Sequence, residues 1–573
     1  MAKVKKTAMA TLAVAASVAV VIAGCSTNTT NSAKPANTAN TNTGAASTST
    51  SQTLVIAQTT KYDDQFIPDM DASLYTANIV GYAYDPLLTV DKNLNFVPDI
   101  IQSYSYSKDK KTVTMHINPK AKWSDGQPVT SDDVLFTMNY LGSKTYATTL
   151  QGQYGYLVSP LVGSSELASG KATDFSKVGG FTKVNNTTFE LHFQTVDAAA
   201  LYSDIASIQP IPEHVFSKIP MKDWVTASED KMPTVTDGPY EFVQVNGQDS
   251  VEMKANPNYF RGKPKIQNVV FKTVSESALP GLLADGSVNF AMEGLQLADV
   301  DKLKKIPNIK VVTPPENGFD YLGLKLYKPE FKNVKVRQAF EYALNRKEMI
   351  QGIEKGYATP IEGPLPPVSW AYTSKGMNPY NYNVAKANQL LDQAGWKKGA
   401  DGMRIDPSTG KEANLTLSYS SGSTVDAQIA VAVQQAFKAI GVKVTINPPM
   451  DFNTLATKVE NDDKSIEMWL MAWSLGTDPD PRGLWDSTDA MNFPRWKDPK
   501  NDKLIAATFD AASFNKANRK AAFAKWAQYV NQQLPYIFLW APDTPYAWSS
   551  NLQIPAKDMS TLGPINPQDW SYS

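Results

Sequence analysis

A single cysteine, Cys25, stands among 573 residues, so no disulfide can form within the chain. Histidine is almost as scarce. Of His116, His192 and His214, the first two fall in strand-like stretches, where a half-buried imidazole satisfied by its neighbours is the expected state. No H-E-x-x-H pair occurs, and the one Gly/Ser-rich stretch, "GSSELASG" at 163–170, lacks the lysine and the strand-turn-helix setting of a phosphate loop. There is no basic surplus either. The formal net charge is −1 with Lys, Arg, Asp and Glu interspersed, which removes the electrostatic footprint of a nucleic-acid binder. Together these gaps argue against an enzyme built on a nucleophile, metal cluster or nucleotide, and no cofactor is expected.

What is abundant is length and aromatic surface. The chain is too long for one compact core and predicts two to four domains. Twelve Trp and 25 Tyr supply flat apolar bodies with polar tips, suited to cores and to binding surfaces alike.

The first residues read as an address. Lys3, Lys5 and Lys6 precede a largely apolar run, Ala8 to Ile22, shorter than the ~20 residues that span a bilayer, so it reads as an export signal. Small residues then lead into the cysteine in Val21-Ile22-Ala23-Gly24-Cys25. This resembles a bacterial lipobox, in which the thiol carries a diacylglycerol, and it predicts a lipid anchor on Cys25. Residues 26–52 are almost wholly Ser, Thr, Asn, Ala and Gly, a composition that cannot bury a core. They read as a flexible tether with a reach of roughly 30 Å.

Order is expected from Leu54-Val55-Ile56-Ala57, a short strand-like run. Thr112 to Ile117 and Phe189 to Phe193 alternate as half-buried strands do. Helical spacing predicts helices over 334–350, 384–394, 427–440 and 517–533, stopped in the last two cases by Gly441 and Pro535. Strands mixed with flanking helices give an α/β class.

The stretch "KWSDGQPVTSDDV" (122–134) crowds three carboxylates into thirteen positions and invites a catalytic reading. Its spacing favours architecture. Ser124-Asp125-Gly126-Gln127 has turn composition and Pro128 fixes the exit. Thr130 with Asp133 three residues on makes a capping box for a helix running from Val134.

That segment also carries a family resemblance. "WSDGQPVTSDDVLFTMNY" (123–140) is similar to the signature of the extracellular solute-binding proteins of the oligopeptide, dipeptide and nickel class, which serve ABC importers. "YDPLLTVDKNLNFVPDIIQSYSYSKDKKTVTMHI" precedes it, "TDGPYEF" (236–242) and "NPNYFRGKPKIQNVVFK" (256–272) follow it, and "VRQAFEYALNRKEMI" resembles the family's helix. "GTDPDPRGLW" (476–485) points to the large peptide binders. The resemblance implies a two-lobed periplasmic-binding-protein-like fold of type II with an additional third domain, closing over its ligand by a hinge. It places lobe I at 53–84, 209–314 and 541–573, the additional domain at 85–208 and lobe II at 315–540.

The function so implied is capture of oligopeptides at the extracytoplasmic face of a Gram-positive cell membrane. The protein would be a lipid-anchored monomer that delivers its ligand to ABC permease subunits. In the family an acid shortly after a Trp receives the ligand's α-ammonium. Here Gly476 occupies the usual position three after Trp473, leaving Asp478 as first candidate and Asp480 as second, although an Asp-Pro-Asp-Pro loop gives either a turn-forming role. Ser474, Trp485, Trp370, Phe319 and Tyr321 join Trp473 as expected ligand contacts, with Gly318 permitting close backbone approach. Arg404, Arg482 and Arg495 are open choices for the ligand's carboxylate. Receptors for oligosaccharides or nickel complexes on the same scaffold, a peptide-pheromone sensor and a surface hydrolase or adhesin remain the alternatives.

Overall fold

A computed structural model of the protein describes residues 53–70 and 73–573; Cys25, the export signal and the tether lie outside the described residues. The α/β class holds. A seven-stranded sheet has the order 309–312, 546–549, 290–291, 53–58, 268–273, 250–255, 240–246. The opening strand Thr53–Gln58 lies inside it, parallel to both neighbours, and buries Leu54 and Ile56 completely. A six-stranded sheet has the order 358–360, 536–542, 318–324, 468–474, 414–418, 443–446. A four-stranded antiparallel sheet, 101–106, 112–117, 188–192, 181–185, contains the two strands whose alternation is plain in the sequence.

The cores follow a different division from the sheets. One continuous apolar cluster joins the seven- and four-stranded sheets, from Leu54 and Phe271 to Met115 and Phe189. A second, built around Tyr321, Phe340, Trp469 and Phe538, belongs to the six-stranded sheet. A third, smaller cluster, with Leu279, Leu283 and Val288 packed on Ala57, Ala291 and Ala547, also belongs to the seven-stranded sheet, so the cores divide into two bodies that can move relative to each other.

The chain crosses between them twice, at 313–317 and 543–545. Each crossing joins a strand of one sheet to a strand of the other, and the two run side by side: the Glu316 N–H donates to Pro542 O at 2.8 Å and the Thr544 N–H to Pro314 O at 2.9 Å. Paired extended connections of this kind bend without breaking either core, which is how a hinge works.

Most expected helices are present, at Val384–Gln393, Thr424–Ala439 and Lys516–Gln533. The last ends on Leu534 in the left-handed region, φ +44°, just before Pro535. The single helix expected over 334–350 is two, Val334–Ala343 and Arg346–Gly352. Leu344 is extended between them, and the Asn345 side chain caps the second by accepting from the Glu348 N–H. The break lets Arg346 enter the core and donate to Ile361 O and to Phe538 O, the latter at 3.1 Å.

The acidic stretch 122–134 is architecture. Gly126 adopts φ +90°, and Asp125 accepts from the Gln127 N–H at 3.0 Å. The Thr130 N–H donates to Asp133 Oδ2 at 2.8 Å in a capping box that opens the helix Ser131–Gly142. Asp133 Oδ1 also accepts from the Glu213 N–H at 2.9 Å. Asp132 turns away to pair with Lys183 at 2.6 Å.

Candidate ligand-binding cleft

The strand Met468–Ser474 delivers the chain to the loop 475–485, which faces the other body. There Arg482 reaches across. Its Nη1 donates to Asp197 Oδ2 at 2.6 Å and its Nη2 to Asp197 Oδ1 at 3.3 Å, while its Nε donates back to both Asp480 oxygens at 3.0 and 2.9 Å. The guanidinium lies 4.2 Å from the centre of the Phe509 ring, whose backbone O accepts from the Ala198 N–H at 2.9 Å. Lys516 donates to Asn95 Oδ1 at 2.6 Å in the same seam. Asp197 is fixed from its own side as well, accepting from the Ala199 and Ala200 N–H groups.

This seam roofs a cavity of about 940 Å³, with walls from residues 69–209 of one body and 476–483 of the other. That volume is at the upper end of the range for ligand pockets, ~300–1,000 Å³. Its lining carries five carboxylates, Asp69, Asp197, Asp204, Asp478 and Asp480, against one guanidinium, Arg482. Asp69 and Asp204 take part in no ion pair among the described residues. Burial pushes the Asp69 carboxyl up to about 7. Burial, reinforced by Asp480, holds Asp204 well above the usual carboxylate range although Arg482 opposes it. The cavity is therefore short of positive charge.

Asp478 is in another situation. Arg519 Nη1 donates to its Oδ2 at 2.6 Å and Nη2 to its Oδ1 at 2.7 Å, with the two side chains only 5% and 3% exposed. Burial raises the Asp478 carboxyl despite this partner. Both aspartates of the Asp-Pro-Asp-Pro loop are thus already neutralised within the chain.

The expected aromatic contacts separate into two groups. Phe319, Tyr321 and Trp473 are buried in the second core, where Trp473 stacks between Tyr321, at 6.1 Å, and Phe493, at 5.2 Å. Gly318 pairs with Ser474, and a Cβ there would meet the Trp473 carbonyl oxygen at 2.5 Å, so its close approach is to the neighbouring strand. Ser474 and Trp485 line a side pocket of about 80 Å³ beside Asp478 and Asp480. Trp370 lines a separate cavity with Arg519. Of the arginines, Arg404 is sealed in the core on Ile440 O and Asp392, and Arg495 is held by Asp462.

A fold of two bodies joined by a paired hinge, with a large cavity between them, is matched by a family model. The model for bacterial extracellular solute-binding proteins, family 5 (middle region), covers residues 95–493. The chain belongs to this family. Among family 5 relatives, the oligopeptide-binding protein AppA of Bacillus subtilis is 26% identical over 497 residues, 85% of this chain and 86% of that protein. The oligopeptide-binding protein OppA of Lactococcus lactis subsp. cremoris is 25% identical over 484 residues, 81% of this chain and 80% of that one. The solved structure of B. subtilis AppA in complex with a nonapeptide superimposes with a TM-score of 0.68 at 25% identity, covering 91% of this chain and 99% of that one. The two-lobed periplasmic-binding-protein-like fold expected from the resemblance is therefore the fold of this family 5 member.

Sequence reading passed over Arg519, Asp197, Asp204 and Asp69. Arg519 left a trace: "KANRK" puts Lys516, Arg519 and Lys520 in the opening turns of a helix, where the macrodipole disfavours cations. A misplaced cation signals a partner elsewhere. The three aspartates left none, because their meeting in one cavity is a product of the fold.

Proposed function

We propose that this family 5 protein is an extracytoplasmic receptor that captures oligopeptides and passes them to the membrane subunits of an ABC importer. The observation that carries the reading is the cavity of about 940 Å³ between the two bodies, large and rich in carboxylate. A transported peptide offers few constant features, and its terminal ammonium is one. Asp478 is closed by Arg519, and Asp480 and Asp197 share Arg482, so the charge is drawn to the two lining carboxyls outside these ion pairs, Asp204 and Asp69. The named relatives, oligopeptide-binding proteins similar over more than four-fifths of the chain, support the ligand class.

In this reading residues 53–84, 209–314 and 541–573 act as lobe I, 85–208 as the additional domain and 315–540 as lobe II, with the hinge at the two paired crossings. Ligand binding favours the closed arrangement only to the extent that closed lobes hold it more tightly than open ones. Cys25 anchors the folded body by its lipid, and residues 26–52 leash it near the translocator. The protein works as a monomer and performs no chemistry on its cargo.

The test is calorimetric titration of the purified protein with a free nonapeptide and with its Nα-acetylated form. Loss of about one to four decades of affinity on acetylation is expected for a desolvated ammonium-carboxylate contact. Equal binding of the two forms refutes amine recognition, and cleaved peptides in the mass spectrum of the mixture refute a purely binding role.

A further inference from the structure

Beside the large cavity lies a second one of about 380 Å³, and Phe96, Tyr202 and Asp478 belong to the walls of both. Its lining is unusual for a gap between two bodies. Phe96, Tyr104, Tyr106 and Tyr202 come from one body, and Trp370 and Phe514 from the other.

The rings are mutually braced. Phe96 and Tyr202 sit 5.2 Å apart, Tyr104 meets Tyr106 at 6.3 Å and 89°, and Tyr106 meets Phe514 at 4.7 Å and 78°. Such a wall presents faces and edges together, the two surfaces that an incoming ring pairs with in offset-stacked and T-shaped contacts.

The polar groups around it are mostly paired within the chain, Tyr104 with Tyr202 at 2.7 Å, while the Tyr106 hydroxyl is buried without a hydrogen-bond partner. Lys110 lies 5.4 Å from the Phe514 ring centre, Lys516 lies 5.4 Å and Arg519 5.5 Å from that of Trp370. Arg519 is closed on Asp478 and Lys516 on Asn95. A cationic group entering here meets three cations and no free carboxylate, whereas a neutral ring meets ring surfaces that are already polarised by those cations.

We propose that this second cavity is an anchor pocket for an aromatic side chain of the ligand, adjoining the large cavity that holds the rest of it. The proposal rests on the peptide-receptor reading and adds a side-chain preference to it. Because both bodies supply rings, the pocket is complete only when the lobes are together, and an aromatic residue seated in it favours closure.

The experiment uses the full chain and an alanine nonapeptide in which one Phe, Leu or Glu is moved through the positions. At one position Phe should bind about tenfold or more tighter than Leu. Phe514→Ala should abolish that margin while the all-alanine peptide changes by no more than about twofold. Phe514→Leu, which keeps bulk, should retain part of it. Equal binding of Phe, Leu and Ala at every position, tightest binding by Glu, or loss of all peptides alike in the variants overturns the pocket. If no peptide binds, indole serves as the probe: indole binding lost in Phe514→Ala keeps the pocket and refutes the peptide reading, and no indole binding refutes both.

Discussion

Arg519 closes on Asp478 with two parallel hydrogen bonds of 2.6 and 2.7 Å, and a third from its Nε to Thr508 O at 2.8 Å fixes the guanidinium plane. This buried fork ties the Asp-Pro-Asp-Pro loop to the first turns of the helix Lys516–Gln533.

Removing one partner strands the other charge inside the protein. Asp478→Ala and Arg519→Ala are each expected to lower unfolding free energy by about 3–5 kcal/mol, read as a shift in the urea midpoint. Replacing both by leucines should recover most of the loss. Wild-type stability in Asp478→Ala would show that the pair contributes nothing.

Arg482 is the counterpart for closure, because it holds Asp197 of the other body and is itself a third exposed, at 34%. Arg482→Ala should leave each core intact while weakening the closed arrangement by roughly 1 kcal/mol, about a fivefold loss in peptide affinity. X-ray scattering of the unliganded variant should give a larger radius of gyration than wild type. An unchanged radius with unchanged affinity contradicts the latch.

Binding should release protons. Burial raises Asp204 and pushes Asp69 to about 7, so the empty cavity keeps protons that an arriving ammonium displaces. The liganded state binds fewer protons, hence affinity rises with pH through the region of about 7. Titration in buffers of different ionisation enthalpy should show the release, and Asp204→Asn should reduce it. Stability moves the other way: the contribution of a raised carboxyl is fully present below its unfolded pKa of ~4 and is lost as pH climbs from there through the folded value, about 7 for Asp69. Affinity that is flat across the region of about 7 where Asp69 titrates contradicts the assignment.

The stretch 122–134 supplies a control. Thr130→Ala removes a helix cap at a cost of about 1 kcal/mol and should leave peptide affinity unchanged. Asp133→Ala should cost more, since Asp133 also accepts from the Glu213 N–H. A large binding defect at unchanged stability would restore a functional reading of those acids.

Several features of this fold are local enough to be read directly. The capping box at Thr130 and Asp133 depends on residues three apart, and the alternation of Thr112 to Ile117 follows from the pleat alone. The helix 334–350 was legible in period but not in its break at Leu344, because the reason for the break, a buried seat for Arg346 on Ile361 and Phe538, comes from distant strands. Trp473 shows the same limit for the site: its indole enters the core because the strand 468–474 turns that face toward Tyr321 and Phe493, a choice of register that pairing with 318–324 enforces.

The amino-acid sequence by itself determined the turns, caps, most strands and helices and the family motifs, since those depend on groups close along the chain. Which acids line the cavity and which are neutralised within the chain was decided by the tertiary structure alone. Asp478 and Asp480 are two residues apart, yet one is closed by Arg519 from a helix some forty residues on and the other shares Arg482 with Asp197 of the opposite body. Coulombic partners are set by distance in space and by exclusion of water, and neither quantity is written in the order of residues.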